Sequence, residues 1–294
     1  MVFEKNAAPV LVVLGQSNAH GHNTHLPENK IVHTPLKNVH GLHRDFNQAY
    51  GLNDVTWSGF TTDGMNLGET QDDTCCLANY FAAMWQSAID GGQDLPDLYV
   101  IQISIGAQGV AQYEAHSWNM WYAFREPIMK PGKLGECDIS LYPFATEVLS
   151  LAWMNLIANG KRPQIIGLHW NQYETECHTG SKALNDAEAN YKNLFWGLFT
   201  ALGSNAVGTG IPFYLYRPLT ENYEPSRIAR MNDIFEGFKV SLADCKIIDL
   251  RETNLYTDEK GTHGIFQPDG IHYTPEAHYE FAKRQWNDLF GKTE

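Results

Sequence analysis

Ser17, Asp269 and His272 are the residue types of a nucleophile, an orienting carboxylate and a base. Ser17 lies in PVLVVLGQSNAHGHN (9–23), where an apolar run stops abruptly at Gly15. Asp269 and His272 stand three residues apart in QPDGIHYTPEAH (267–278), near the other end of the chain. In a turn that feeds a helix, that spacing brings a carboxylate beside an imidazole. A serine hydroxyl is a poor nucleophile until a base accepts its proton. The base works best when a carboxylate fixes its tautomer and stabilises the imidazolium. The chemistry these three would do together is acyl transfer. Each motif alone is weak. GQSN is not a G-x-S-x-G elbow, so Ser17 by itself reads as a loop serine, and Asp269-Gly270 by itself reads as a turn against which His272 packs.

Two further blocks carry groups suited to a developing oxyanion. In GLHWNQYETE (167–176), Gln172 can donate its side-chain amide. In ISIGAQGVAQ (103–112), Gly106 and Gly109 permit close backbone approach, and their N–H groups are natural donors.

These residues need elements to position them. Five short apolar, β-rich runs occur at 9–14, 98–104, 164–169, 211–216 and 246–250. Their nearly continuous apolar character predicts strands covered on both faces, as in a parallel sheet. Helical patterns fall between and after them, at 77–89, 146–160, 186–203, 225–242 and 274–290, the last with Thr274 as N-cap and Pro275 at the first helical position. This alternation predicts an α/β fold of three layers, with a parallel sheet of about five strands between helices. No linker or repeat is visible, so residues 1–294 read as one domain. Two long loop insertions, at about 18–76 and 107–140, leave from the carboxyl ends of strands, which is the edge where open α/β sheets bind ligands.

Composition narrows the partners. A net charge of −13 without any basic stripe argues against nucleic acid and suits neutral sugars or small esters. Hydrophobic residues at 43% and charged residues at 19% describe a globular chain. No apolar run approaches the ~20 residues of a membrane span. MVFEKNAAPV lacks the apolar core of a signal peptide, so no membrane partner is expected; the compartment and oligomeric state stay open. The odd set Cys75, Cys76, Cys137, Cys177 and Cys245 fits no disulfide framework and predicts reduced, packed thiols.

With GQSNAHG (15–21), SIGAQG (104–109), WNQYE (170–174) and DGIH (269–272) in this order, the chain resembles the SGNH (GDSL-like) hydrolase superfamily. Within it, the chain is similar to the sialate O-acetylesterase and carbohydrate esterase family 6 branch. The blocks span nearly the whole sequence. The resemblance implies a flavodoxin-like three-layer fold and a metal-independent, cofactor-free serine esterase acting on acetylated carbohydrate. It implies Ser17 as nucleophile, His272 as base and Asp269 as its orienter. It also implies an oxyanion hole from the N–H groups of Ser17 and Gly106 and the Gln172 side chain. Gln16, Asn18, Gly109, Tyr173, Glu174 and Trp118 are expected to line the substrate site, with Glu174 also holding its loop by hydrogen bonds. Two positions depart from the family pattern. Tyr173 stands where a glycine follows the glutamine, and the paired glycines of the second block read Gly106-Ala107. Gly109 therefore stays open as the alternative oxyanion donor.

The remaining polar and aromatic clusters have plain readings. His20, His22, His25, His33, His40 and His43 match no zinc spacing and read as solvated loop histidines, with His20 or His22 near enough to Ser17 to line the pocket. Asp63, Asp72 and Asp73 read as polar lining or surface. Trp57, Trp118, Trp121 and Tyr122 lie outside periodic segments and suggest a sugar-stacking cleft, whereas Trp85, Trp153 and Trp196 fall in helical patterns and are expected in the core. Two other functions fit the same fold: a carbohydrate-binding or structural module, such as a viral tail component, without turnover, and a thioesterase or lipid esterase.

Overall fold

The computed structural model describes residues 3–22, 24, 34–44, 54–62, 65–68, 74–112, 120–124, 140–179, 181–257, 259 and 261–291. The strand β1 (Ala7–Gly15) is buried along its whole length. Successive side chains of a strand point to opposite faces, and β1 uses both. Val10, Val12 and Leu14 enter one apolar cluster, and Leu11 and Val13 enter the other. This is why PVLVVL shows no alternation.

The sheet contains β1, β2 (Val39–Arg44), β3 (Val55–Gly59), β4 (Leu98–Ser104), β5 (Arg162–Asn171), β6 (Phe213–Tyr216) and β7 (Cys245–Ile248), in the order β3-β2-β4-β1-β5-β6-β7. All pairings are parallel except β2 with β3. The five runs legible in the sequence are β1, β4, β5, β6 and β7. Their order β4-β1-β5-β6-β7 is the 2-1-3-4-5 order of flavodoxin-like sheets, whose ligand crevice lies at the switch point beside the first strand.

The sheet therefore has seven strands, not about five, and is not wholly parallel. The two additional strands lie within 18–76, a segment without legible periodicity. VHGLHR in β2 has only Val39 and Leu42 as apolar side chains, and the edge strand β3 buries only Val55 fully. Neither carries enough apolar signal to stand out.

Helices α2 (Leu77–Asp90) and α7 (Pro275–Phe290) pack together on one face of the sheet, while α3 (Leu141–Ala158), α5 (Ser181–Ala201) and α6 (Pro225–Ser241) cover the other. Two short helices, α1 (Ser17–His20) and α4 (Glu174–Thr179), follow directly on the carboxyl ends of β1 and β5. By length and composition α3 could cross a membrane, but Phe144, Val148, Leu149 and Leu156 bury its inner face against the sheet. Cys75, Cys76, Cys177 and Cys245 are buried free thiols, as expected, and Cys137 lies outside the described residues.

Candidate active site

The register of the three central strands sets up the site. Gly15 of β1 lies beside Ser104 of β4 and beside Asn171 of β5. The residues that follow, Gln16-Ser17, Ile105-Gly106 and Gln172-Tyr173, leave the sheet at one edge. The turn out of β1 requires a glycine. Gly15 has φ 143°, and a β-carbon there would overlap the Asn171 carbonyl. The Gly15 carbonyl accepts a hydrogen bond from the Trp121 indole at 3.0 Å. Gly21, with φ 80°, ends α1 where a β-carbon would strike the Cys75 backbone. Ser17 is thus held at the head of a single helical turn, 7% exposed.

The second arm is the turn before α7. Gly270 adopts φ 68°, and the Asp269 Oδ1 accepts the backbone N–H groups of Ile271 and His272, each at 2.9 Å. Oδ2 lies 2.7 Å from His272 Nδ1, and His272 Nε2 lies 3.0 Å from Ser17 Oγ. Partial burial pushes the Asp269 carboxyl upward, but the N–H groups of His272 and Ile271 and the His272 ring outweigh it and hold it below its ordinary value. A charged carboxylate can only accept, so Nδ1 carries the ring proton and the Nε2 lone pair faces the Ser17 hydroxyl. Residues 255 positions apart in sequence are thereby set as a connected Ser-His-Asp chain.

Several of the residues expected to line the substrate site make hydrogen bonds that hold the site together. Asn18, 1% exposed, donates to Glu174 Oε1 at 2.6 Å and to the Ile271 carbonyl at 3.0 Å, and accepts the Tyr273 N–H at 3.0 Å. It therefore grips the backbone on both sides of His272. Buried Glu174 also accepts the Tyr173 N–H at 3.0 Å; burial raises its carboxyl, opposed by the Tyr173 and Asn18 donors. Gln16 is buried and accepts from the Thr175 hydroxyl at 2.7 Å. Tyr173 is fully buried, and its hydroxyl accepts the Leu219 N–H. The Tyr173 side chain, at the position where the resemblance leads one to expect a glycine, points into the protein. Gly109 is buried, and its carbonyl accepts the Trp121 N–H at 3.2 Å. Trp118 lies outside the described residues. Gln16, Asn18, Tyr173 and Glu174 are all buried, and each makes hydrogen bonds within the protein.

Gln172 behaves differently. It is 1% exposed, and both its Nε2 and its Oε1 lack a hydrogen-bond partner among the described residues. Leaving a buried amide unpaired costs about 1–3 kcal/mol. Gly106 is half-buried and lies two residues past Ser104. Ala107 adopts a left-handed φ of 57°, the conformation a glycine would favour.

Some contributors carry no sequence signal. Thr220 donates to the Gly270 carbonyl at 2.6 Å, and Asn222 donates to the Asp269 carbonyl. Both follow β6 and clamp the Asp269 turn from outside. Asn66 donates to the Ser104 carbonyl at 3.1 Å and its hydroxyl at 2.9 Å, and accepts the Ser104 N–H, fixing the end of β4. Only their spacing from strand ends could have singled them out.

The histidines divide. His22 is half-buried and packs its ring on His272 at a centroid distance of 4.6 Å. His20 is buried rather than solvated; burial, reinforced by neighbouring His22, His272 and His278, pushes it down to about 3. His40 and His43 belong to β2, and His25, His33, Asp63, Asp72 and Asp73 lie outside the described residues. Among the described residues no group of three or more His, Cys, Asp or Glu side chains could hold a metal ion. The aromatics also depart from expectation. Trp121 is fully buried, Trp57 is packed edge-on to Tyr99, and Trp196 is 55% exposed.

The chain is similar in fold to solved structures at low sequence identity. NanS superposes with a TM-score of 0.64 and 13% identity, over 99% of this chain and 100% of that one. A protein from Arabidopsis thaliana gives a TM-score of 0.58 and 13% identity, over 93% and 94%. No family model matches the chain, and no curated protein matches it in sequence. At these identities the likeness is one of architecture: a three-layer α/β fold with a central, mostly parallel sheet.

Proposed function

We propose that this protein is a serine esterase that removes acetyl groups from carbohydrate hydroxyls. The observation that carries the reading is the unbroken chain Asp269 Oδ2–His272 Nδ1 at 2.7 Å and His272 Nε2–Ser17 Oγ at 3.0 Å. A general base must reach its proton within about 2.6–3.2 Å, and this one does so in the resting protein.

In the first half-reaction Ser17 Oγ bonds to the ester carbonyl carbon while His272 Nε2 takes its proton. Asp269 stabilises the imidazolium without itself becoming protonated. The carbonyl oxygen becomes an oxyanion, received by the Gln172 amide and the N–H groups of Ser17 and Gly106. The tetrahedral adduct collapses, the bond to the sugar oxygen breaks, and His272 returns the proton to that oxygen. In the second half-reaction water adds to the acyl-serine as His272 takes its proton. The bond from the acyl carbon to Ser17 Oγ then breaks, His272 returns the proton to Ser17 Oγ, and acetic acid leaves and ionises in solvent.

The near-complete burial of Ser17 and Gln172 supports a short acyl group. The carbohydrate alcohol rests on the sequence resemblance. The test is hydrolysis of p-nitrophenyl acetate against p-nitrophenyl octanoate, with Ser17→Ala alongside, followed by a panel of acetylated sugars. Acetate turnover abolished by Ser17→Ala is expected. Turnover unchanged in that variant, or octanoate preferred, would overturn the reading.

A further inference from the structure

The helices α3 and α5, with the segment 120–124, enclose a surface groove of about 710 Å³ on the face of the sheet away from α2 and α7. Its lining includes Phe124, Tyr142, Glu147, Asn193, Trp196 and Gly197. Ligand pockets fall within about 300–1,000 Å³, but the composition is more telling than the size. Two large aromatics stand open to solvent there, Phe124 at 65% and Trp196 at 55% exposed. Large apolar side chains gathered in one exposed patch mark interaction or ligand-binding surfaces, whereas singly scattered ones need no explanation; Phe124 and Trp196 line one groove.

Two features indicate that the groove is built. Gly197 sits in the interior of α5, where glycine destabilises a helix by roughly 0.5–1 kcal/mol relative to alanine. A β-carbon there would overlap the Tyr142 hydroxyl, so the glycine lets Tyr142 lie across the helix as the groove floor. The wall is anchored as well. Two residues before Phe124's neighbour Ala123, Trp121 donates its indole N–H to Gly15, and the Tyr142 N–H bonds the Met120 carbonyl at 3.3 Å. The segment that presents Phe124 thus also supports the strand end that delivers Ser17.

The charge of the groove selects its occupant. Among the described residues no lysine or arginine lines it, and its one carboxylate, Glu147, is paired with Arg44 at 3.3 Å. The whole chain carries −13. The described lining offers a polyanion no counter-charge. Flat aromatic faces beside an amide and hydroxyls match the C–H faces and hydroxyl edges of uncharged sugar rings.

We infer that the Phe124–Trp196 groove is a second carbohydrate-binding site, which takes a segment of a neutral glycan chain by stacking on Trp196 and Phe124. That this chain is the one bearing the cleaved ester rests on the esterase reading above; the binding itself does not.

The test separates the two. Full-length Ser17→Ala protein is run in affinity electrophoresis through gels containing unacetylated xylan, mannan or galactan, with polygalacturonate as the anionic control. Retardation by at least one neutral polymer is expected. Adding Trp196→Ala should weaken it about tenfold, the loss of one stacking contact, and Trp196→Phe should retain most of it. In protein with Ser17 intact, Trp196→Ala should leave p-nitrophenyl acetate hydrolysis unchanged and raise KM on an acetylated neutral polymer without lowering kcat. Three results would overturn the inference: no retardation by any neutral polymer, retardation by polygalacturonate alone, or retardation indifferent to Trp196→Ala. Sedimentation gives a further check, because a dimer dissolved by Trp196→Ala would assign this face to a second copy of the chain instead. Loss of esterase activity in every assay with binding intact would sink the esterase reading and leave the groove.

Discussion

Asn18 donates its side-chain amide to buried Glu174 at 2.6 Å, and through the same side chain it holds the backbone of Ile271 and Tyr273. One residue thus couples the helix that carries Ser17, the segment after β5 and the loop that carries His272. Asn18→Ala leaves the Glu174 carboxylate short of a donor and frees the His272 loop. Stability should fall by about 1–3 kcal/mol, read from urea unfolding. kcat should fall roughly 10²-fold, since small misplacements of a catalytic group have that effect, with KM nearly unchanged. An Asn18→Ala enzyme with full kcat would remove Asn18 from the positioning machinery.

Gln172 should show opposite effects on stability and activity. Its amide is buried without a partner among the described residues. Gln172→Met keeps the volume and removes the unpaired groups, so the folded protein should be unchanged or more stable by up to about 1 kcal/mol. kcat on an acetyl ester should fall by about 10²–10³, the effect of losing one oxyanion donor. A variant both less stable and fully active would show that Gln172 is structural.

Gly15 has no tolerated replacement. Gly15→Ala must place a β-carbon against the Asn171 carbonyl at φ 143°. The expected loss is about 3 kcal/mol or more, measured as a shift of the urea midpoint, with activity lost in whatever remains folded. Gly160→Ala, at a φ of 73° but in open space, serves as the comparison and should lose less.

Acid should weaken the fold through three buried imidazoles. Burial holds His20, His169 and His278 down to about 3. His169 sits between the Tyr216 hydroxyl at 2.7 Å and Gln285 Oε1 at 2.6 Å. Below the ordinary histidine value of 6.5 the unfolded chain takes up protons that the folded chain refuses, so stability is complete above 6.5 and is lost as pH falls toward 3. Glu174 and Glu176, raised by burial, act with the opposite sign: their contribution is present below 4.5 and lost as pH rises through their folded values. His278→Leu removes one of the three imidazoles. Between pH 6 and pH 4 its stability should depend on pH less steeply than the parent's, by a difference approaching 1.4 kcal/mol per unit at about pH 5 and below. Parallel profiles for the two proteins would show that His278 is protonated in the folded state.

The sequence by itself determined the parts that depend on local pattern. Runs such as PVLVVL and LYVIQIS are apolar on both faces because helices cover both, and so they announce parallel strands. Asp269 and His272 are legible because three residues and one glycine suffice to bring a carboxylate to an imidazole. Ser17 is legible because Gly15 ends a strand. Pairing that depends on distant partners was decided only by the tertiary structure. The seating of His272 on Ser17 joins residues 255 apart. Asn18, Gln16 and Tyr173 lie next to reactive positions in sequence yet face inward, because burial follows from what packs over a residue rather than from its neighbours in the chain. Trp196 falls in a helical pattern but opens to solvent, because helical periodicity marks a segment as a helix without saying which of its faces another element covers. The histidine-rich β2 and the edge strand β3 are held by backbone pairing with β4 and with each other, a force that leaves no mark on side-chain periodicity.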